Sequence, residues 1–524
     1  MKQLAPNREQ QTLKENATIA TVIILILNLL SRILGFLREM VIARIFGATT
    51  YTDAYLVAYS LPYSVQQVIG WAIVSVTVPL LTKYIVDGKR EETDRITNYF
   101  LNSTACLMLF VSVIGVLCAP LLVKITAPSL DAPTTKLAVE MTRVIFPSVF
   151  FVCVGMVFTG ILNANRRFGV AAFAPALSNI IIIATVLFGG KLWGIWGLAI
   201  GTLVSFVFFM LIQLPSSFGT GWHFRFVLPH HNREIRTALL SLIPIILGMS
   251  VNQIYYILNR FFASGLAEGS ISTLNYAAKL SQFPAGVFVS AIAVAIYPLL
   301  TEYAICGDLK RFQQALEKGL GVVMLLATPA AIGLIVLRVP IVRLLFEHGA
   351  FTSADTKAVA SALMFYAVGL VAYSLIMVLL RVFFAFSDVK IPVIAGLCGI
   401  LVNVFASIVS VNYMGHNGLA LATTMASIVN MLVFFLFLRK HLPQMDFTPF
   451  LISCVKIIVA SLLMGIIVDL VNRFFAGFGD VAVILLGMVI GICVYFLLAV
   501  VLRMREWLWL KEMVRNKMGK RFCR

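Results

Sequence analysis

Runs of about 20 apolar residues recur from one end of this chain to the other, and no long polar stretch separates them. Each run can cross a hydrocarbon core of roughly 30 Å as a helix. A soluble domain carries charge on about a quarter of its residues. Here the charged share is 12% and the apolar share 60%, so most of the surface cannot face water. A length of 524 residues would otherwise suggest about three or four soluble domains. The expected fold is an all-α polytopic membrane protein with about fourteen transmembrane helices.

The apolar runs predict helices at roughly 18–46, 51–83, 98–120, 135–162, 169–189, 194–214, 236–262, 270–302, 312–337, 354–385, 391–412, 418–438, 448–472 and 480–502. Gly and Pro mark many of the breaks, as at Gly189-Gly190 and between Gly415 and Gly418. The net charge of +18 is spread through short loops and the tail rather than gathered in one module, which argues against a nucleic-acid partner. Loops on the side of the N-terminus carry about twice as many Lys and Arg as loops on the other side, among them Arg90, Arg95, Arg166 and Arg167. Both termini are therefore expected in the cytoplasm, which requires an even number of helices. The polar first 17 residues lead into an apolar run with no small-residue cleavage site after it, as in a retained helix. Eight Cys lie scattered without metal or disulfide spacing.

An internal repeat organises the chain. VPLLTKY (Val78 to Tyr84) returns as YPLLTEY (Tyr297 to Tyr303), 219 residues later, again near the end of a long helix. A weaker echo links LNANRRF (Leu162 to Phe168) with VFFAFSDVK (Val382 to Lys390). The expected domains are a cytoplasmic N-terminus (1–17), a first lobe of helices 1–6 (18–214), a cytoplasmic linker (215–235) and a second lobe of helices 7–12 (236–438). Two extra helices (448–502) and a basic tail (503–524) follow. Lobes of this kind share one orientation, and the substrate path is expected where they meet. In the tail, Trp507, Leu510, Val514 and Met518 fall on one helical face, as in an interfacial amphipathic helix or an ordinary cytosolic stub.

Charge inside a membrane is costly and usually lines a cavity. Helix 1 carries Arg32 and Arg38 in SRILGFLRE, with Ser31, Gly35 and Arg38 at i, i+4 and i+7 on one face. Arg38 lies about 30 Å along its helix, in the outer half. Arg260 closes helix 7, and Lys279 sits about three turns into helix 8. In a two-lobe protein these cations converge on one basic site, which suits a phosphate or pyrophosphate. The blander reading is that Arg38 pairs with Glu39 or Asp53 and locks helices together. Glu140 and Arg143, three apart, read as a self-contained structural pair. No His is placed beside a plausible nucleophile, so no enzyme, cofactor or metal is expected.

Three segments resemble the MurJ lipid II flippase family: SRILGFLREMVIARIFGATTYTDAYLVAYSLP (Ser31 to Pro62), GSISTLNYAAKL (Gly269 to Leu280) and PIVRLLFEHGAFT (Pro340 to Thr352). The resemblance covers essentially the whole chain. It implies the fold of the multidrug/oligosaccharidyl-lipid/polysaccharide exporter superfamily in a bacterial inner membrane, with helices 13 and 14 forming a groove for a lipid tail. The implied partner is an undecaprenyl-linked anionic glycolipid, lipid II, moved to the outer leaflet by alternating access, with membrane lipids and the cell-wall synthesis machinery nearby. Carried over by motif, the substrate-binding candidates are Ser31, Arg32, Arg38, Asp53, Ser272 and Lys279; the cation pattern adds Arg260, and Gln66 of helix 2 completes the set. Many members read LPNLLRR and then Glu in helix 2, where this chain has LPYSVQQ with Gln66 and Gln67; the acid after the helix 8 cation is Gln282 here. These departures keep open a flippase for another polyprenyl-pyrophosphate-linked glycan. A non-transporting cell-wall scaffold is the remaining alternative.

Overall fold

Without water to bond to, a backbone in hydrocarbon must satisfy itself, and a helix does so within one segment. The computed structural model describes residues 8–227, 233–442 and 447–509, and among them it contains helices and no strands. Among the described residues, twelve helices are long and apolar enough to cross a membrane. This is a multi-pass membrane protein. The expected first and seventh helices, outside those twelve, are the continuous helices Arg8–Phe46 and Arg233–Ala263.

The chain forms two compact units, Met1–Gly265 and Leu266–Arg524. The first contains α1 (Arg8–Phe46), α2 (Thr50–Val86), α3 (Arg90–Leu117), the short α4 (Ala119–Thr126), α5 (Ala132–Ala164), α6 (Phe168–Trp193), α7 (Ile195–Phe218) and α8 (Arg233–Ala263). Here α5 packs against α2, α3 and α7, while α1 lies along α6 and α6 along α7. Its core gathers Phe100, Met156, Phe158, Phe209 and Trp222. The second unit contains α9 (Ser270–Ile305), α10 (Leu309–Val336), the short α11 (Arg338–Phe346), α12 (Ser353–Ala385), α13 (Lys390–Met414), α14 (His416–His441), α15 (Thr448–Phe474) and α16 (Asp480–Val501). Its core joins Leu300, Phe312, Val378, Phe383 and Phe434. Large apolar side chains such as Leu401 (70% exposed) and Phe405 (73%) stand outside it, where lipid rather than water is the solvent.

The repeat is architectural. α2 opens into a π-helical turn at Gln66–Gly70 and α9 at Ala285–Val289, so the turns stand 219 residues apart, the spacing of the sequence repeat. α3 and α10 are each 28 residues long, and each follows a glycine at positive φ, Gly88 (70°) and Gly307 (68°). Within each unit a helical hairpin turns at a further glycine, Gly194 (φ 56°) between α6 and α7 and Gly415 (φ 54°) between α13 and α14. One turn later the two backbones nearly touch. A Cβ on Gly197 would sit 2.8 Å from the Gly189 carbonyl carbon, and one on Gly418 2.5 Å from the Ser410 carbonyl oxygen. Lipid offers no hydrophobic drive for helices to associate, so such close approach does that work. The weaker echo also holds: Arg166 and Ser387 both take φ 58° at the end of the preceding helix.

Several sequence expectations are corrected. The repeat places helix 236–262 with the second lobe, whereas by packing α8 lies on α2, its π-turn, α3 and α4, and it clusters with the first unit. Glu140 and Arg143 form no ion pair; Arg143 is exposed and Glu140 half-buried. A three-residue spacing permits a pair without forcing it. In the tail, Trp507 packs on Phe496 with ring centroids 4.7 Å apart. The rest of the expected amphipathic face, from Leu510 onward, lies outside the described residues. The Lys318 ammonium sits over Trp509 at 5.7 Å, and Glu506 is buried.

Candidate functional site

The arginines of α1 are built from a local motif. Gly35 stands between Ser31 and Arg38 on one face, and its missing side chain lets Asn179 of α6 lie against the helix; a Cβ there would be 3.6 Å from the Asn179 amide nitrogen. Asn179 then bridges the motif. Its Nδ2 donates to the Ser31 carbonyl at 3.2 Å, and its Oδ1 accepts from Arg38 Nη1 at 3.2 Å. Arg38 Nη2 donates to Glu39 Oε1 at 2.7 Å. The two side chains of that ion pair are 16% and 7% exposed. The bland reading of Arg38 is thus part of the structure, yet it is incomplete, because the Arg38 Nε is buried with no partner.

Beside this pair, α2 presents tyrosines four residues apart. Tyr55 is buried, and its hydroxyl shares a 3.0 Å hydrogen bond with that of Thr202 on α7. Tyr55 stacks on Tyr59 (centroids 5.8 Å, planes 6° apart), Tyr59 lies 5.4 Å from Tyr63, and Tyr63 meets Tyr256 of α8 edge-on at 6.3 Å. One turn beyond Tyr256 comes Arg260. It is half-buried, with its Nε buried and unpartnered, and it lies within electrostatic reach of Tyr256, Tyr63, Tyr59 and Glu39. Arg38 in turn is within reach of Tyr59 and Tyr55. Two guanidinium groups therefore flank one row of rings and share one carboxylate. Each retains an N–H without an acceptor, which is the donor set an oxyanion needs.

The other predicted residues are dispersed. Arg32 is exposed and Ser31 half-buried. Asp53 is 4% exposed in the first turn of α2, where a negative charge suits the helix dipole. Gln66 is half-buried and opens the π-turn. Lys279 and Gln282 are half-buried in α9 of the second unit. Ser272 is fully buried and its hydroxyl donates to Gly269 O at 3.0 Å. Its motif and the PIVRLLFEHGAFT segment meet through Tyr276, Phe346 and Phe351, a ring cluster with centroids 5.2 to 5.9 Å apart. That cluster seats the start of α9. Among the described residues no group of His, Cys, Asp or Glu could hold a metal ion. Sequence reasoning missed Asn179 and the tyrosine row. The available signals were an amide at the head of the apolar run Ile180–Leu187 and the four-residue spacing of Tyr51, Tyr55, Tyr59 and Tyr63.

A family model described as "Lipid II flippase MurJ" matches residues 42–504. The chain belongs to the MurJ family. Among MurJ relatives, a "Lipid II flippase MurJ" of Burkholderia cenocepacia is 32% identical over 425 residues, 79% of this chain and 82% of the relative. A "Probable lipid II flippase MurJ" of Thermotoga maritima is 30% identical over 491 residues, 93% and 96% of the two chains. A solved structure titled "Lipid II flippase MurJ, inward closed conformation" superposes with a TM-score of 0.79 at 27% identity, covering 92% of this chain and 98% of that one. An inward-facing MATE transporter of the MOP superfamily, at 16% identity and TM-score 0.69, covers 80% of this MurJ family chain and 98% of its own. It shares the fold.

Proposed function

We propose that this chain moves lipid II, the undecaprenyl-pyrophosphate-linked peptidoglycan precursor, from the cytoplasmic to the outer leaflet of a bacterial inner membrane by alternating access. Arg38 and Arg260 hold the pyrophosphate, and Lys279 is a further cargo-binding residue. Family membership supports the cargo class, and the observation that carries the site is the pair of half-buried arginines, each with a buried Nε–H lacking an acceptor. A buried N–H left without an acceptor costs about 1–3 kcal/mol, a cost an incoming anion would relieve. Both termini lie in the cytoplasm, following the Lys and Arg bias of the loops. On this reading α1 and α8 also span, giving fourteen spans, and α15 and α16 line a groove for the polyprenyl tail. The cell-wall synthesis machinery is the expected neighbour.

The Gln66–Gln67 pair at the π-turn favours one second reading, a flippase for a different polyprenyl-pyrophosphate-linked glycan. Expression of this chain alone in cells depleted of their own lipid II flippase separates the two. Growth rescue by the wild type, its loss in Arg38→Ala at equal protein level and partial rescue by Arg38→Lys are expected. Full rescue by Arg38→Ala would refute the site, and no rescue by the wild type would favour the second reading.

A further inference from the structure

The row Tyr55–Tyr59–Tyr63–Tyr256 has no evident task in holding a phosphate. Residues four apart on a helix share one face; Tyr59 and Tyr63 stand about 6 Å apart along α2, and Tyr256 continues the row 6.3 Å from Tyr63, room for two sugar rings. Tyr55 is the fixed base, buried and bonded to Thr202. Tyr59, Tyr63 and Tyr256 are half-buried, so part of each ring is accessible. A tyrosine is costlier than phenylalanine in an apolar span, because its hydroxyl must find a partner there. The row is set between two arginines. Its chemistry suits a carbohydrate. Ring faces are electron-rich and apolar and receive the C–H faces of a pyranose, while phenolic hydroxyls donate to and accept from sugar hydroxyls. Tyrosine also supplies this contact with little conformational entropy to lose.

We infer that Tyr59, Tyr63 and Tyr256 form a saccharide subsite that reads the sugar attached to the pyrophosphate held by Arg38 and Arg260. The inference rests on the transport reading above, since it takes the anion site as given. Tyr59, within reach of both arginines, meets the sugar joined to the phosphate, and Tyr63 and Tyr256 meet its continuation.

The test uses the full-length purified protein and two ligands: a polyprenyl pyrophosphate carrying the disaccharide-pentapeptide, and the same polyprenyl pyrophosphate without sugar. Wild type should bind the glycosylated ligand more tightly. Tyr63→Leu and Tyr256→Leu should each weaken that binding about tenfold, leaving the bare lipid within about twofold. Tyr63→Phe, which keeps the ring and the fold, should recover part of the preference. Arg260→Gln should weaken both ligands alike. Equal affinity of the wild type for the two ligands would overturn the subsite while leaving the anion site standing, as would Tyr variants that weaken both ligands equally or neither. Failure of the wild type to bind either ligand would overturn the transport reading with it.

Discussion

Glu39 lies within reach of both site arginines, so neutralising it probes the charge balance of the site. The Arg38–Glu39 contact is 2.7 Å long between side chains only 16% and 7% exposed. It therefore differs from a surface pair, for which about 0–1 kcal/mol would be at stake. Removing one partner of a buried pair costs about 3–5 kcal/mol. Glu39→Gln preserves shape and one acceptor, which puts the loss near the lower end, about 3 kcal/mol. Anion binding should move the other way. If a bound phosphate sits roughly 8 Å from Glu39, across the guanidinium, deleting the carboxylate removes about 2 kcal/mol of repulsion at an effective dielectric constant of about 20. That corresponds to about thirtyfold in Kd. The variant should thus melt at lower temperature when empty, bind polyprenyl pyrophosphate more tightly, and regain stability when the ligand is added. Transport should slow despite the tighter grip, because Glu39 no longer displaces the cargo from Arg38. Thermal unfolding with and without ligand, paired with a direct binding measurement, reads all of these. A destabilised variant with unchanged or weaker anion binding would show that Glu39 does not compete with cargo, and the shared-counterion argument would fall.

Lys279→Arg should keep transport, since charge is retained, whereas Lys279→Glu should abolish rescue of flippase-depleted cells at equal protein level. Gly160→Ala should destabilise the first unit by about 1–3 kcal/mol, because the new Cβ would sit 2.7 Å from Cβ and Cγ2 of the buried Thr77; Gly169→Ala, with nothing within 4 Å, is the control in the same melting assay. Asp131 caps α5 from outside the membrane, and the hydrogen bond from Thr134 holds its carboxyl below its ordinary value. Its contribution is complete above the unfolded value of about 3.9 and disappears as pH falls through the lower folded value. Asp131→Asn, which still caps, should leave the neutral melting temperature unchanged and make the acid limb shallower.

How much of this protein could be read from its residues follows from how far each feature depends on distant chain. The helices were legible because hydrocarbon forces every segment to satisfy its backbone locally, so length and apolarity suffice. The ends moved by several residues, as at α3, which begins at Arg90 rather than about 98, because polar first turns lie outside the apolar run. The repeat was legible from one heptapeptide, and the matching π-turns at Gln66–Gly70 and Ala285–Val289 confirm it. Arg38 was legible too, since a cation in an apolar helix needs a reason. Its surroundings were not. Asn179 lies 141 residues away, and only the packing of α6 on the Gly35 face brings its amide to Arg38. The same holds for Arg260. Sequence repeat assigned its helix to the second lobe, while tertiary packing set α8 against α2 and made Tyr256 continue the tyrosine row. Ser272, a substrate-binding candidate, is fully buried and bonded to Gly269 O at the start of its own helix. Hydropathy, a property of single segments, determined that the chain crosses a membrane many times. Which faces meet is a property of pairs of helices, and only the folded chain decided it.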